Sequence, residues 1–219
     1  MESLRDLRGI LEEAGRGGFP PADGTITVVP QHGPRDAGVL AFTAHSVVFT
    51  DEDPRWVYDT LAATPADPLA AAMSPHFLTA FAARTGRRTD TVDVMCVAAA
   101  LPGGPVPGLA EIEDPGQPRV VSALGHRDTV RVWAAAEGGL LVLGRGVGGR
   151  LEAAVEVDEA VRHRGLGRRL ATAARRLSGG EPVWAQISAG NARSLRAFLA
   201  SGYRPVGSEA LFLREPGQG

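Results

Sequence analysis

The 219-residue sequence predicts a mixed α/β fold, and three observations carry that expectation. From residue 91 onward, short apolar runs alternate with amphipathic ones in the order β-α-β-β-β-α-β-α-β. Glycine-rich turns separate neighbouring runs, notably at 144–149 and 179–180. One β-type run, 153–157, passes through a short turn into Arg162-His163-Arg164-Gly165-Leu166-Gly167, which opens a helix.

In chain order, residues 3–14 place Leu4, Leu7, Ile10 and Leu11 on one helical face with charges opposite, as a short amphipathic helix does. Glycine and proline break the chain over 15–24. Residues 25–30 and 38–50, rich in Val, Phe and Thr, read as strands. Asp51 or Asp53 can cap a helix with Pro54 in its first turn, carrying Trp56, Val57 and Leu61 inward. Ser74 and Pro75 start a further helix with Phe77, Leu78, Phe81 and Ala82 on one face, ending near Gly86. Residues 92–101 form a strand, 102–107 a Pro/Gly-rich linker and 117–125 a helix. Strands follow at 129–135, 140–143 and 151–157. After the Gly165 loop a helix runs to about Ser178, then 183–187 is a strand and 191–201 a helix. Residues 203–213 make a final strand or bent strand pair, and the Pro/Gly tail is expected to be loose. The expected organisation is an N-terminal α/β region, 1–90, followed by a second domain, 91–216.

Composition narrows the function classes. A hydrophobic content of 44% with 22% charged residues is ordinary for a soluble globular chain. The net charge of −2 gives no global basic field to favour nucleic acid. All 23 basic residues are arginine, which excludes Schiff-base chemistry and a Walker-type phosphate loop, since both need an amine. Cys96 is the sole cysteine, so no internal disulfide or cysteine metal cluster can form, and nothing suggests a metal site. Its apolar neighbours mark it as an inert buried thiol. No apolar stretch reaches the ~18 residues that span a bilayer, and the start is too charged for a signal peptide. The expectation is a cytoplasmic protein without membrane contact.

The loop from Arg162 to Arg168 is the most informative segment. Successive backbone N–H groups turn outward there, with a helix N-terminus adding partial positive charge behind them, an arrangement suited to a pyrophosphate. Gly165 and Gly167 lack a Cβ, so backbone can approach phosphate oxygens. Arg162-x-x-Gly165-x-Gly167 resembles the coenzyme A loop of the GCN5-related N-acetyltransferases (GNAT), whose pattern is Gln/Arg-x-x-Gly-x-Gly/Ala. Downstream, Asn191-x-x-Ser194-x-x-x-Phe198-x-x-x-Gly202-Tyr203 is similar to the family's later motif, in which Asn and Ser open a helix and Gly-Phe/Tyr closes it. The resemblance is clear over the last third of the chain and extends back to about residue 90. For 1–90 it suggests only a diverged half-copy of the same fold.

That resemblance implies a strongly twisted mixed sheet with flanking helices, in which the strands at 151–157 and 183–187 splay apart to admit coenzyme A. It implies acetyl-coenzyme A as co-substrate, held by His163, Arg164, Gly165, Leu166, Gly167 and Arg168. Strand contacts to the pantetheine would come from Val155 and Val157, and arm contacts from Asn191 and Ser194. The side chains of Arg162, Arg164 and Arg168 would reinforce the cradle or meet a ribose phosphate. The implied activity is direct acyl transfer to an amine in a ternary complex, with a backbone N–H near Val157 stabilising the oxyanion. Glu156, and second to it Glu152, would accept the acceptor's proton directly or through water. Two solvated carboxylates on one strand face are the plain alternative. The acceptor is a small-molecule or peptide amine, and 1–90 is expected to shape its side of the site or a homodimer contact. Two departures stand out. His163 occupies a place where family members often carry Gly, and Phe198 stands where the family often has the Tyr that protonates the leaving thiolate.

Two rival readings compete with this one. Phe198 suits a non-catalytic acyl-coenzyme A binding or regulatory module. Gly144-x-Gly146-x-x-Gly149 satisfies the dinucleotide fingerprint of an oxidoreductase, but that fingerprint needs a helix next and a second strand ending in an acid. The segment therefore reads as a hairpin turn. His45, His76 and His126 are each isolated in sequence; His126 with Asp128 is the better placed for chemistry.

Overall fold

A computed structural model describes residues 6–104, 106–113, 116 and 118–214. In chain order its elements are α1 (Leu7–Gly15), β1 (Ile26–Val29), β2 (Asp36–Phe42), β3 (His45–Phe49), α2 (Pro54–Ala62), α3 (Pro75–Thr85), β4 (Val92–Ala98) and β5 (Leu109–Ile112). They continue with α4 (Pro118–His126), β6 (Asp128–Ala135), β7 (Gly139–Arg145), β8 (Leu151–Val157), α5 (Leu166–Leu177), β9 (Val183–Ser188), α6 (Ala192–Leu199) and β10 (Arg204–Leu213). The fold is mixed α/β, with helices against a mixed sheet. The chain divides into two units: residues up to 94 together with those from 206 on, and residues 95–205. The expected boundary at 90/91 thus falls slightly early, and most of the last strand joins the first unit.

Helix starts in the first unit follow the side chains available to satisfy their orphan N–H groups. Asp6 accepts from Gly9 N–H at 2.7 Å and fixes the start of α1; positions 3–5 of the expected helix lie outside the described residues. Asp53, not Asp51, caps α2 through Arg55 N–H, with Pro54 in the first turn. Ser74 caps α3, and Gly86 ends it with φ 63°. The strand order is β1-β3-β2-β10. Only the β1–β3 pair is parallel among these; β2 is antiparallel to both β3 and β10. Register sets the core: Val39 lies opposite Val48 and Ala210, and Ala37 opposite Phe212. That face packs on Val57, Leu61, Phe77 and Phe81, with the Phe81 and Phe212 rings edge to face at 4.8 Å. The expected single strand 38–50 is a hairpin, turning at Thr43 and Ala44, where Ala44 takes φ 51°.

In the second unit the order is β4-β9-β8-β7-β6-β5. The segment between the linker and α4 holds β5, a strand absent from the expected order and paired antiparallel with β6. α4 covers one face, where Ala123, Val132 and Val142 are buried together against Leu140 and Ala154. The opposite face meets α5: a Cβ at Gly139 would touch Leu166 and Leu170. The α5 sequence suits that placement, with Leu166, Leu170, Ala171 and Ala174 buried and Arg168, Arg169 and Arg176 exposed. Arg175 ties the helix down, donating to the carbonyls of Ala99 and Ser201 at 2.9 and 2.6 Å.

Candidate functional site

The site is built on β8 and the loop behind it. β8 pairs antiparallel with β7 along its whole length, from Arg145↔Leu151 to Gly139↔Val157. It is parallel to β9, but the register pair between them is Glu152↔Trp184, near the start of β8. No later β8–β9 pair forms among the described residues, so the two strands part company beyond that point. The hydrogen bond from Asp158 N–H to Gly138 O, 3.1 Å, fixes the antiparallel phase. Residues 140 and 156 face each other as a hydrogen-bonded pair, and the main-chain groups of Val155 and Val157 point away from β7, toward the β9 side. On that side Val157 O accepts from Arg162 Nε at 3.1 Å.

The turn after β8 runs through a 3₁₀ turn, Glu159–Val161, into α5. Two of its residues are left-handed, His163 at φ 65° and Gly165 at φ 82°. That conformation costs a side-chain-bearing residue about 1–2 kcal/mol, a cost His163 bears and a glycine would not. A Cβ on Gly165 would meet nothing within 4 Å, and the N-terminus of α5 has no side-chain cap. The first N–H groups of α5 thus face an open, exposed loop, and such groups attract an anion. Gly167 differs. A Cβ there would face Val157 and Ala197 at 3.7 and 3.8 Å, an ordinary packing distance.

Several solved structures resemble the chain at low overall similarity. A protein of the GNAT family from Novosphingobium aromaticivorans is 19% identical, over 60% of this chain and 69% of that one, with a TM-score of 0.43. A GCN5-related N-acetyltransferase from Kribbella flavida is 14% identical over 83% and 88% of the two chains, TM-score 0.38. One from Sphaerobacter thermophilus is 14% identical, TM-score 0.38; the match covers 66% of this chain and 58% of that one. No family model and no curated protein matches the sequence. At this level of likeness the fold rests on the chain's own strand order and register.

The two glutamates of β8 share a face but not an environment. Glu156 is exposed. Glu152 is 2% exposed, and its carboxylate accepts from Arg150 Nε and Arg127 Nε at 2.9 Å each, from Gln186 Nε2 at 3.0 Å and from Val147 N–H at 3.3 Å. Burial pushes its pKa up, but the charges of Arg150 and Arg127, with the hydrogen bonds, outweigh burial and hold it below the usual carboxylate range. A carboxylate engaged on every side is a poor proton acceptor. This corrects the expectation that Glu152 shares that task, and leaves Glu156 as the solvent-facing carboxylate of the two. The sequence reading missed Arg127, Arg150 and Gln186. Arg150 had a visible signal, since i and i+2 on a strand share a face.

Asn191 caps α6: its Oδ1 accepts from Ser194 N–H at 3.1 Å. Asn191 is exposed and Ser194 half-buried. Phe198 is buried, with its ring edge to face against Tyr203 at 4.8 Å. Tyr203 is itself buried, its hydroxyl 3.4 Å from Ala171 O, and burial pushes its pKa well up. Neither ring can supply a proton from solvent. Arg164 and Arg168 are exposed. His126 is exposed at the end of α4, and Asp128 lies opposite Arg145.

The dinucleotide reading fails on the element after the glycines. Beyond Gly144 and Gly146 comes a 3₁₀ turn, Val147–Gly149, and then β8, where a helix would be required. These glycines answer a packing need instead. A Cβ at Gly144 would press on Arg127, and one at Gly146 would overlap the Glu152 carboxylate. Among the described residues no cluster of His, Cys, Asp and Glu could hold a metal ion, and no helix is long and apolar enough to cross a membrane.

Proposed function

We propose that this protein is an acetyl-coenzyme A-dependent N-acyltransferase. The observation that carries the reading is the parting of β8 and β9 beyond Glu152↔Trp184, with the main-chain groups of Val155 and Val157 turned to the β9 side and the α5 loop behind them. The residues fit the group. The N–H groups at Gly165, Leu166, Gly167 and Arg168 would hold the diphosphate, with Arg164 and Arg168 adjacent. Val155 and Val157 would hydrogen-bond the pantetheine arm as a strand edge does. Asn191 has an amide donor beyond its capping oxygen, and Ser194 a hydroxyl, for the same arm.

Acetyl-coenzyme A, when bound, supplies the activated thioester. Val157 N–H stabilises charge developing on the carbonyl oxygen. Glu156, directly or through a water, takes the proton that the acceptor amine must lose before it attacks. With Phe198 and Tyr203 buried together, water returns a proton to the leaving thiolate. The acceptor is a small-molecule or peptide amine.

Thiol release from acetyl-coenzyme A with a broad amine panel tests the activity. The chain's only cysteine adds little background, because Cys96 is buried and burial pushes its thiol pKa up to about 11. Release that Glu156→Gln abolishes is the expected result. Calorimetric binding of coenzyme A without release for any amine favours the second reading, a non-catalytic acyl-coenzyme A binding module, which the burial of Phe198 supports. No binding of coenzyme A sinks both.

A further inference from the structure

We propose that Glu152 is a positioning residue, setting where β8 and β9 part and thereby the width of the opening for a pantetheine arm. The proposal rests on the coenzyme A reading above. Its basis is where the bonds lie. The register pair Glu152↔Trp184 joins the two strands, and the Glu152 carboxylate reaches on to Gln186, two residues further along β9, at 3.0 Å. Arg127, just past α4, binds both Glu152 and Gln186, the latter through Nη2 at 3.2 Å. Arg150 binds the same carboxylate and stacks over the Trp184 ring at 5.0 Å. β9 is therefore tied by side chains as far as Gln186, two residues beyond the register pair. One carboxylate stands between two guanidiniums that are themselves largely buried. Neutralising it weakens the hold on Arg127 and Arg150, and with it the contacts through which those two side chains reach Gln186 and Trp184 on β9. Gly144 and Gly146, the glycines of the discarded dinucleotide fingerprint, provide the room this cluster needs.

The test compares wild type with Glu152→Gln by calorimetry against two probes. Coenzyme A carries the pantetheine arm, and adenosine 3′,5′-diphosphate lacks it. The expected result is an affinity for coenzyme A that falls about tenfold, an unchanged affinity for adenosine 3′,5′-diphosphate, and partial recovery in Glu152→Asp. Amide hydrogen exchange should accelerate over 153–157 and 185–188 while α5 keeps its protection. Equal losses for both probes, no loss for either, or exchange that accelerates evenly across 95–205 overturns the proposal. If Glu152→Gln does not fold, Gln186→Leu, which leaves both ion pairs in place, carries the same expectations. If wild type binds neither probe, the coenzyme A reading has failed. The exchange pattern then decides the role of Glu152 alone, with acceleration confined to β8 and β9 upholding it and an even one overturning it.

Discussion

Four donors converge on the carboxylate of Glu152, and that crowding decides what its neighbours tolerate. Gly146→Ala would drive a methyl into the carboxylate, so the variant should lose about 1–3 kcal/mol of stability in urea denaturation. Under the dinucleotide reading the same change would have acted on ligand binding instead. A second polar group lies in the first unit. His45, 6% exposed, sits between Asp23 Oδ1 at 3.1 Å from Nδ1 and Thr27 Oγ1 at 3.0 Å from Nε2. The hydroxyl and amide of Thr25, and after them His45, pull the Asp23 carboxyl down to about 2. A carboxyl lowered in the folded state stabilises above its unfolded pKa and loses that contribution as pH falls through its folded one. Asp23→Asn should therefore be less stable than wild type at pH 6, with the gap closing between about pH 4 and pH 2 in denaturation curves taken across that range. Beyond the Arg150–Glu152 neighbour pair, neither cluster was legible in the sequence. Glu152 is 25 positions from Arg127 and Asp23 is 22 from His45, and each pairing exists only through strand register.

Elements with a strong local signal were readable, and those without one were not. β8 and the α5 loop announce themselves through a β-type run, two glycines and an amphipathic helix. The caps at Asp53, Ser74 and Asn191 were visible because those side chains suit orphan N–H groups. The β2–β3 turn was missed because Thr43 and Ala44 carry no turn chemistry. β5 was missed because its four residues are only partly buried and show no clear alternation. The α6 cap offers a test that separates structure from binding. Asn191→Ala should cost about 1 kcal/mol in thermal or urea melts, whereas Asn191→Ser should cost much less, since a serine hydroxyl also accepts from the N3 amide. Both variants lack the side-chain amide. Weaker coenzyme A binding by Asn191→Ser at near-native stability would therefore place that amide on the cofactor arm.

At the scale of the whole molecule, the first unit is assembled from two separated stretches of chain. β10 supplies the partner of β2 from Asp36 to Ala41 and buries Ala210 and Phe212 against α2 and α3. Losing a buried phenylalanine alone costs about 3–5 kcal/mol. A chain ending at residue 205 should therefore leave residues 6–94 open to limited proteolysis, while the peptides of 95–205 stay protected. A split at 90 looked natural in the sequence because the resemblance to the later motifs extends back only that far. Nothing local says that a strand more than a hundred residues later returns to complete the first core. The division has a consequence during synthesis. At ~5–20 residues per second, on the order of 10 s separates translation of β3 from that of β10. Throughout that interval β2 presents an unsatisfied edge to the crowded surroundings of the ribosome, so this chain is vulnerable to chaperone capture or mispairing at its beginning, although the cure is encoded at its end.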